Sequence, residues 1–139
     1  MRLLDTIVIV GALNVRDRHH GKASKYLEML SMDNDVVVPL STLMEFDFLM
    51  KARDYTDEER KTSWIELASK ISPQKVIAQT ASTFVRASEL QKEGMGYFDS
   101  LITALAQELN SSVVTYDKQI ARHVETEWVG VTGTKVKKG

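Results

Sequence analysis

Apolar residues in this chain fall into short unbroken runs separated by longer stretches with helical spacing. The runs are Leu3-Leu4, Val36-Val37-Val38 closed by Pro39, Val76-Ile77, Val113-Val114-Thr115 and residues 128–132. Runs that do not alternate with polar residues suit strands covered on both faces, as in a parallel sheet. Between them, Trp64, Leu67, Ala68 and Ile71 recur at i, i+3, i+4 and i+7 behind Thr56-Asp57-Glu58-Glu59, a capping-box pattern. Leu101, Ile102, Leu105 and Leu109 mark a helix starting near Asp99. Ala81, Phe84, Val85 and Ser88 mark the face of another, stopped by Gly94 and Gly96. Residues 6–14, 20–30 and 40–51 complete the helical set. Strands alternating with helices, without Asn-Gly or Asp-Gly hairpin turns, predict an α/β fold. The expected architecture is a three-layer α/β/α sandwich around a central parallel sheet.

Size and charge narrow the function. A chain of 139 residues fits one domain, expected over residues 1–132, with Lys135, Lys137 and Lys138 in a basic tail over residues 133–139. The formal net charge of -1 provides no global basic field, so any nucleic-acid contact must use a local patch. The absence of cysteine removes disulfides, thiolate metal sites and cysteine nucleophiles together. The apolar run over residues 7–13 is too short to span a membrane. Asp5 also lies where a signal peptide would be basic or apolar, so a cytoplasmic protein without a membrane partner is expected.

Four acids stand out on this map. Asp5 ends the first strand, Glu45 lies one turn into the helix after the second, Asp99 opens a helix, and Asp117 follows the Val113–Thr115 run. Ligand sites of parallel α/β sheets form where the strands' C-terminal ends meet, so these distant acids can converge there. Each also has a local reading: Asp5, Asp99 and Asp117 as helix N-caps, and Glu45 as the end of a Thr42-x-x-Glu45 capping box. Together they would repel one another and raise each other's pKa values unless a cation held them ionised. Oxygen ligands suit Mg²⁺ or Mn²⁺; with His19, His20 and His123 the only histidines and no cysteine, zinc is disfavoured.

Four stretches carry a family resemblance: Leu4-Asp5-Thr6; Glu45 in a helix after an apolar strand and Pro39; Phe98-Asp99-Ser100-Leu101-Ile102-Thr103-Ala104; and Val114-Thr115-Tyr116-Asp117. In order and spacing this set resembles the PIN domain, most of all the small prokaryotic VapC-type toxins, over about residues 2–131. One position departs from the pattern: Asn or Ser is common two residues after the first Asp, where this chain has Ile7.

The resemblance implies a metal-dependent endoribonuclease, the toxin of a toxin–antitoxin pair. Asp5, Glu45, Asp99 and Asp117 would hold Mg²⁺ or Mn²⁺, with Asp5 and Asp99 the principal ligands. In-line water attack would leave a 5′-phosphate and a 3′-hydroxyl. Thr6 and Thr115 would offer hydroxyls to the metal's water shell. Arg16 and Arg18, with Lys22, are candidate phosphate contacts beside His19 and His20. A homodimer and an antitoxin are implied as partners near the helix carrying Glu45, where Phe46, Phe48, Leu49 and Tyr55 lie. Met29, Met32, Met44, Met50 and Met95 are expected to fill the core.

Rival readings differ in class. A PIN-fold module that binds RNA or protein without cutting is favoured by Ile7 and the near-neutral charge, and an RNA-processing nuclease outside a toxin system shares every motif. Ribonuclease H-like folds open with antiparallel hairpin strands. A receiver domain needs an acidic pair at the first strand, where Asp5 stands alone.

Overall fold

The computed structural model describes residues 1–128 together with residues 135 and 136. Elements follow in the order β1 (Arg2–Leu4), α1 (Thr6–Leu13), α2 (His20–Met32), β2 (Val36–Pro39), α3 (Leu40–Ala52) and α4 (Asp57–Ala68). Then come β3 (Val76–Ile77), α5 (Ala81–Lys92), α6 (Tyr97–Leu109), β4 (Ser112–Val114), α7 (Lys118–Ala121), β5 (Thr126–Glu127) and β6 (Lys135–Val136). The strands lie side by side as β3-β2-β1-β4-β5-β6. The first five run parallel, and β6 pairs antiparallel with β5.

Alternation along the strands sorts the core into layers. Leu4, Val36, Val38 and Val114 point one way and pack with side chains from α1, α2, α3 and α4. Leu3 and Val113, with the partly buried Val37 and Ile77, point the other way against Ile102, Leu105 and Ala106 of α6 and Ile120 of α7. Ala87 and Leu90 of α5 then pack on Leu101 and Ala104 of α6. Both sheet faces are thus covered, which is why the strands read as continuous apolar runs. This is the three-layer α/β/α sandwich that the pattern predicts.

Local chemistry fixes the helix positions. The Thr56 hydroxyl and the Glu59 carboxylate close a full capping box on α4. That helix is tied to α3 through Asp47, which accepts from Arg60 at 3.1 and 3.2 Å and from the Trp64 indole at 2.9 Å. α1 and α2 pack so closely that a Cβ on Gly11 would stand 2.8 Å from Ala23 Cβ, so only glycine fits there. Thr42 donates to the Leu4 carbonyl at 2.8 Å, pinning the start of α3 to the end of β1.

Several expectations are corrected. The helix carrying Asp99 begins two residues earlier, at Tyr97 with Gly96 as N-cap, so Asp99 lies in its first turn and is not a cap. α5 forms as expected but presents a different face. Phe84 and Val85 are exposed while Thr83, Ala87 and Leu90 are buried. Small side chains let α5 sit close to α6, and the Thr83 hydroxyl donates to Glu108 of that helix. The last parallel strand is Thr126–Glu127, just before the run expected to form it; Trp128 is buried beside it, and residues 129–132 lie outside the described residues. Within the expected tail, Lys135 and Val136 form β6. Met50 and Met95 are core residues, but Met32 and Met44 are exposed.

Candidate active site

Strand order alone predicts where a crevice opens. β1 connects to β2 on one side and borders β4 on the other, so chain connections diverge between β1 and β4, and ligand sites form at the C-terminal ends of such a pair. Asp5 follows β1 directly and caps α1, accepting the Thr6 backbone N–H at 2.8 Å. Thr115 follows β4, and its hydroxyl donates to the other Asp5 oxygen at 2.8 Å. Two residues on, Asp117 caps α7, accepting from the backbone N–H groups of Gln119 at 2.7 Å and Ile120 at 3.2 Å. Its own N–H donates to the Thr115 hydroxyl at 3.1 Å, so one threonine joins both acids.

The other two acids come from helices. Glu45 projects from the second turn of α3 and accepts the Thr6 hydroxyl. The capping-box reading of Glu45 fails, because α3 starts at Leu40 and Thr42 is used on Leu4. Asp99 reaches in from α6 and accepts no hydrogen bond from the described residues. Gln79 holds these two helices together by donating to Ser41 of α3 at 2.7 Å and to the Leu101 carbonyl of α6 at 3.2 Å.

Asp5, Glu45, Asp99 and Asp117 border one cleft of about 490 Å³, together with Thr6, Ile7, Val10, Asn14, Asp17, Leu49, Arg53 and Tyr116. Burial pushes Asp5 up to about 7, against the pull of its bonds from Thr115 and Thr6 and with the charges of Asp99 and Glu45 adding to the rise. Asp99 is pushed up to about 6 by burial and by the charges of Asp117 and Glu45. Glu45 is raised by burial and Asp117, with the Thr6 hydroxyl opposing. The protein therefore concentrates negative charge where solvent is partly excluded, with Arg53 as the cation on the lining.

A family model described as "PIN domain" matches residues 2–125. The chain belongs to the PIN domain family. PIN proteins are nucleases, and the four acids occupy one cleft of this PIN domain. Among solved structures it is similar to Mycobacterium tuberculosis VapC20, described as a sarcin-ricin loop cleaving toxin. That match has a TM-score of 0.67 and 17% identity, covering 94% of this chain and 98% of the other. VapBC2 from Rickettsia felis, solved on a DNA fragment from its promoter, matches with a TM-score of 0.65 and 21% identity over 88% of this chain and 92% of the other. A toxin–antitoxin complex from Klebsiella pneumoniae matches at 0.59 and 20% identity, over 96% of this chain and 94% of that one. No curated protein sequence matches the chain.

The other candidate residues are placed as follows. Thr6 and Thr115 are buried and brace the acids, the Thr6 hydroxyl donating to Glu45 and the Thr115 hydroxyl to Asp5, and Thr6 also lines the cleft. Arg16 and Arg18 are exposed on the α1–α2 loop but do not line the cleft; the loop reaches it through Asn14 and Asp17. His19 turns to Tyr116 and Trp128, and His20 Nδ1 lies 2.9 Å from the Gly11 carbonyl, so the vicinal histidines do not act as a pair. Phe48 lies on α3, whereas Tyr55 lies beyond the helix end at Ala52, after Asp54 with its left-handed φ of 60°. The sequence reading missed Asp17, Arg53 and Tyr116. Its nearest signal was Tyr116 inside Thr115-Tyr116-Asp117, an aromatic residue between two motif positions.

Proposed function

We propose that this PIN protein is a Mg²⁺- or Mn²⁺-dependent endoribonuclease and the toxin of a toxin–antitoxin pair. The observation that carries the reading is the convergence of four carboxylates from four separate elements on one cleft, two of them held well above their ordinary pKa. Such a cluster is unfavourable in isolation and becomes favourable around a cation. The donor set fits a hard divalent ion. Among the described residues, no three His, Cys, Asp or Glu side chains stand close enough to grip one ion directly between them. An ion held there would therefore bind through one or two carboxylates and keep its other waters, as Mg²⁺ commonly does.

Asp5 and Asp99 would be the principal ligands, with Glu45 and Asp117 holding the ion's waters. When bound, the ion supplies a water of lowered pKa and neutralises charge on the phosphoryl oxygens. Thr115 holds Asp5 by one oxygen and the Asp117 backbone by another contact, so these two acids keep a fixed spacing. Thr6 does the same for Glu45 relative to α1. Asp5 and Asp99 must lose their protons to hold an ion, so metal affinity should rise with pH through the region of 6 to 7. The RNA substrate and an antitoxin partner are supported by the resemblance and by the descriptions of the similar structures, and a homodimer by the resemblance alone.

The test is cleavage of defined RNAs with Mn²⁺ by wild type, Asp5→Asn and Asp99→Asn, alongside thermal melts. Wild type should cut and should melt higher with rising Mn²⁺, while both folded variants should lose cleavage. Wild type that shows neither cutting nor a melting shift would leave a non-cleaving binding module as the better reading.

A further inference from the structure

Among the described residues, Tyr116 is the one cleft residue with an aromatic ring. It stands between Thr115, which holds Asp5, and Asp117, so its backbone is fixed by the contacts that fix the acids. The Thr115 N–H also donates to the Glu127 carbonyl at 3.1 Å, tying this turn to the neighbouring strand β5. The Tyr116 ring lies 4.8 Å from the His19 ring at a 44° tilt and 5.2 Å from the Trp128 ring at 73°. His19 in turn meets Trp128 edge-on at 5.5 Å, and Trp128 stacks on Tyr26 at 5.6 Å. Trp128 is 1% exposed, Tyr116 44%. A chain of packed rings therefore leads from the core to the acidic cleft, and its outermost member is left open there.

We propose that Tyr116 is a platform on which an unpaired nucleobase next to the scissile phosphate stacks. The proposal rests on the RNA-cleaving reading above and adds how the substrate is seated. A rigidly backed, solvent-open ring suits the face of a base, since stacking needs a fixed flat surface and no particular hydrogen-bond pattern. Arg53, the cation lining the same cleft, supplies a contact for a neighbouring phosphate. A ring and a guanidinium bordering the same acids match the three parts of a nucleotide step: base, flanking phosphate and scissile phosphate. A base held in a helix cannot reach such a ring, so the cleft should favour single-stranded or looped RNA.

The bland alternative is that Tyr116 only shields Trp128. Kinetics on modified substrates separate the two. Single-stranded oligoribonucleotides with a mapped cut would carry an abasic site at each nucleotide flanking it in turn, and KM and kcat would be measured with Mn²⁺ for wild type, Tyr116→Ala, Tyr116→Leu and Tyr116→Phe. On the intact oligonucleotide, Tyr116→Ala should raise KM roughly 10- to 100-fold with kcat little changed, and Tyr116→Phe, which keeps the ring, should restore most of it. One abasic position should cost wild type a similar factor and cost Tyr116→Ala nothing further. Tyr116→Leu keeps an apolar cover over Trp128 and should still show the KM defect.

Unchanged KM in folded Tyr116→Ala or Tyr116→Leu overturns the platform, as does an abasic penalty of equal size with and without the ring. If those variants fail to fold, wild type decides: unchanged KM at every abasic position overturns the proposal. RNA that wild type cuts without any dependence on Tyr116 removes the platform alone. RNA that wild type neither binds nor cuts removes the platform and the nuclease reading together.

Discussion

Replacing Asp99 with asparagine should make the metal-free protein more stable while destroying its activity. Asp99 accepts no hydrogen bond from the described residues, so Asn keeps its shape and forfeits no internal contact. It removes a charge that burial, Asp117 and Glu45 all disfavour, as its pKa of about 6 against an ordinary 3.8 records. A carboxyl raised in the folded state binds its proton more tightly there than in the unfolded chain. Its penalty on folding is therefore absent well below pH 4, grows between the two pKa values, and is complete above about 6. At roughly 1.4 kcal/mol per tenfold change in proton affinity, the full penalty is ~3 kcal/mol. Asp99 is partly open to solvent, and screening reduces this to ~1–2 kcal/mol. Urea melts in a metal chelator should then show Asp99→Asn more stable than wild type by that amount at pH 8, with the gap closing toward pH 4. Adding Mn²⁺ should reverse the order, because wild type gains binding energy that the variant lacks. A variant equal to or less stable than wild type at pH 8 without metal would refute the reasoning. So would a gap that does not change with pH.

Two further perturbations probe how the acids are held and how α1 packs on α2. Thr115→Val keeps the shape but strips Asp5 of a buried hydrogen bond and the Asp117 N–H of its acceptor. It should raise the Mn²⁺ concentration needed for half-maximal thermal stabilisation about 10- to 100-fold, and an unchanged midpoint would show that Thr115 does not hold the acids. Gly11→Ala places a Cβ 2.8 Å from Ala23 Cβ between two packed helices. Overpacking offset by better helix propensity should cost about 1–2 kcal/mol in denaturant melts, and Ala23→Gly in the same chain should recover most of it.

The layers of this fold were readable because burial on both sheet faces leaves a simple trace. Leu3-Leu4 and Val36-Val37-Val38 are apolar without alternation since their side chains enter two different cores. The acids were readable because Asp5 and Asp117 sit where a strand gives way to a helix, and Asp99 and Glu45 lie within the first two turns of theirs. What failed was any question that one helix's own sequence cannot settle. On α5 two apolar side chains, Phe84 and Val85, face solvent. The buried face is built from Thr83, Ala87 and Leu90, because close approach to α6 rewards small residues and a bond to Glu108. Arg53 and Asp17 lie in polar stretches that any solvated loop would share, and only the fold turns them toward the acids.

At Asp5 the cap that the structure shows and the proposed ligand role are compatible. An Asp N-cap presents its carboxylate to backbone N–H groups where the chain enters a helix, and after a strand of a parallel sheet that point is the edge where ligand crevices open. The Thr6 N–H takes one Asp5 oxygen and the Thr115 hydroxyl the other, so the carboxylate is oriented before any ion arrives. Asp117 repeats the device at β4, bonded to Gln119 and Ile120. Capping alone would leave both acids indifferent to a divalent cation, whereas a shared ion would couple them to Glu45 and Asp99. The burial that lifts Asp5 to about 7 makes the same distinction. A cap chosen for stability would sit in solvent with its charge intact, and this one is held where its charge is costly until something positive meets it.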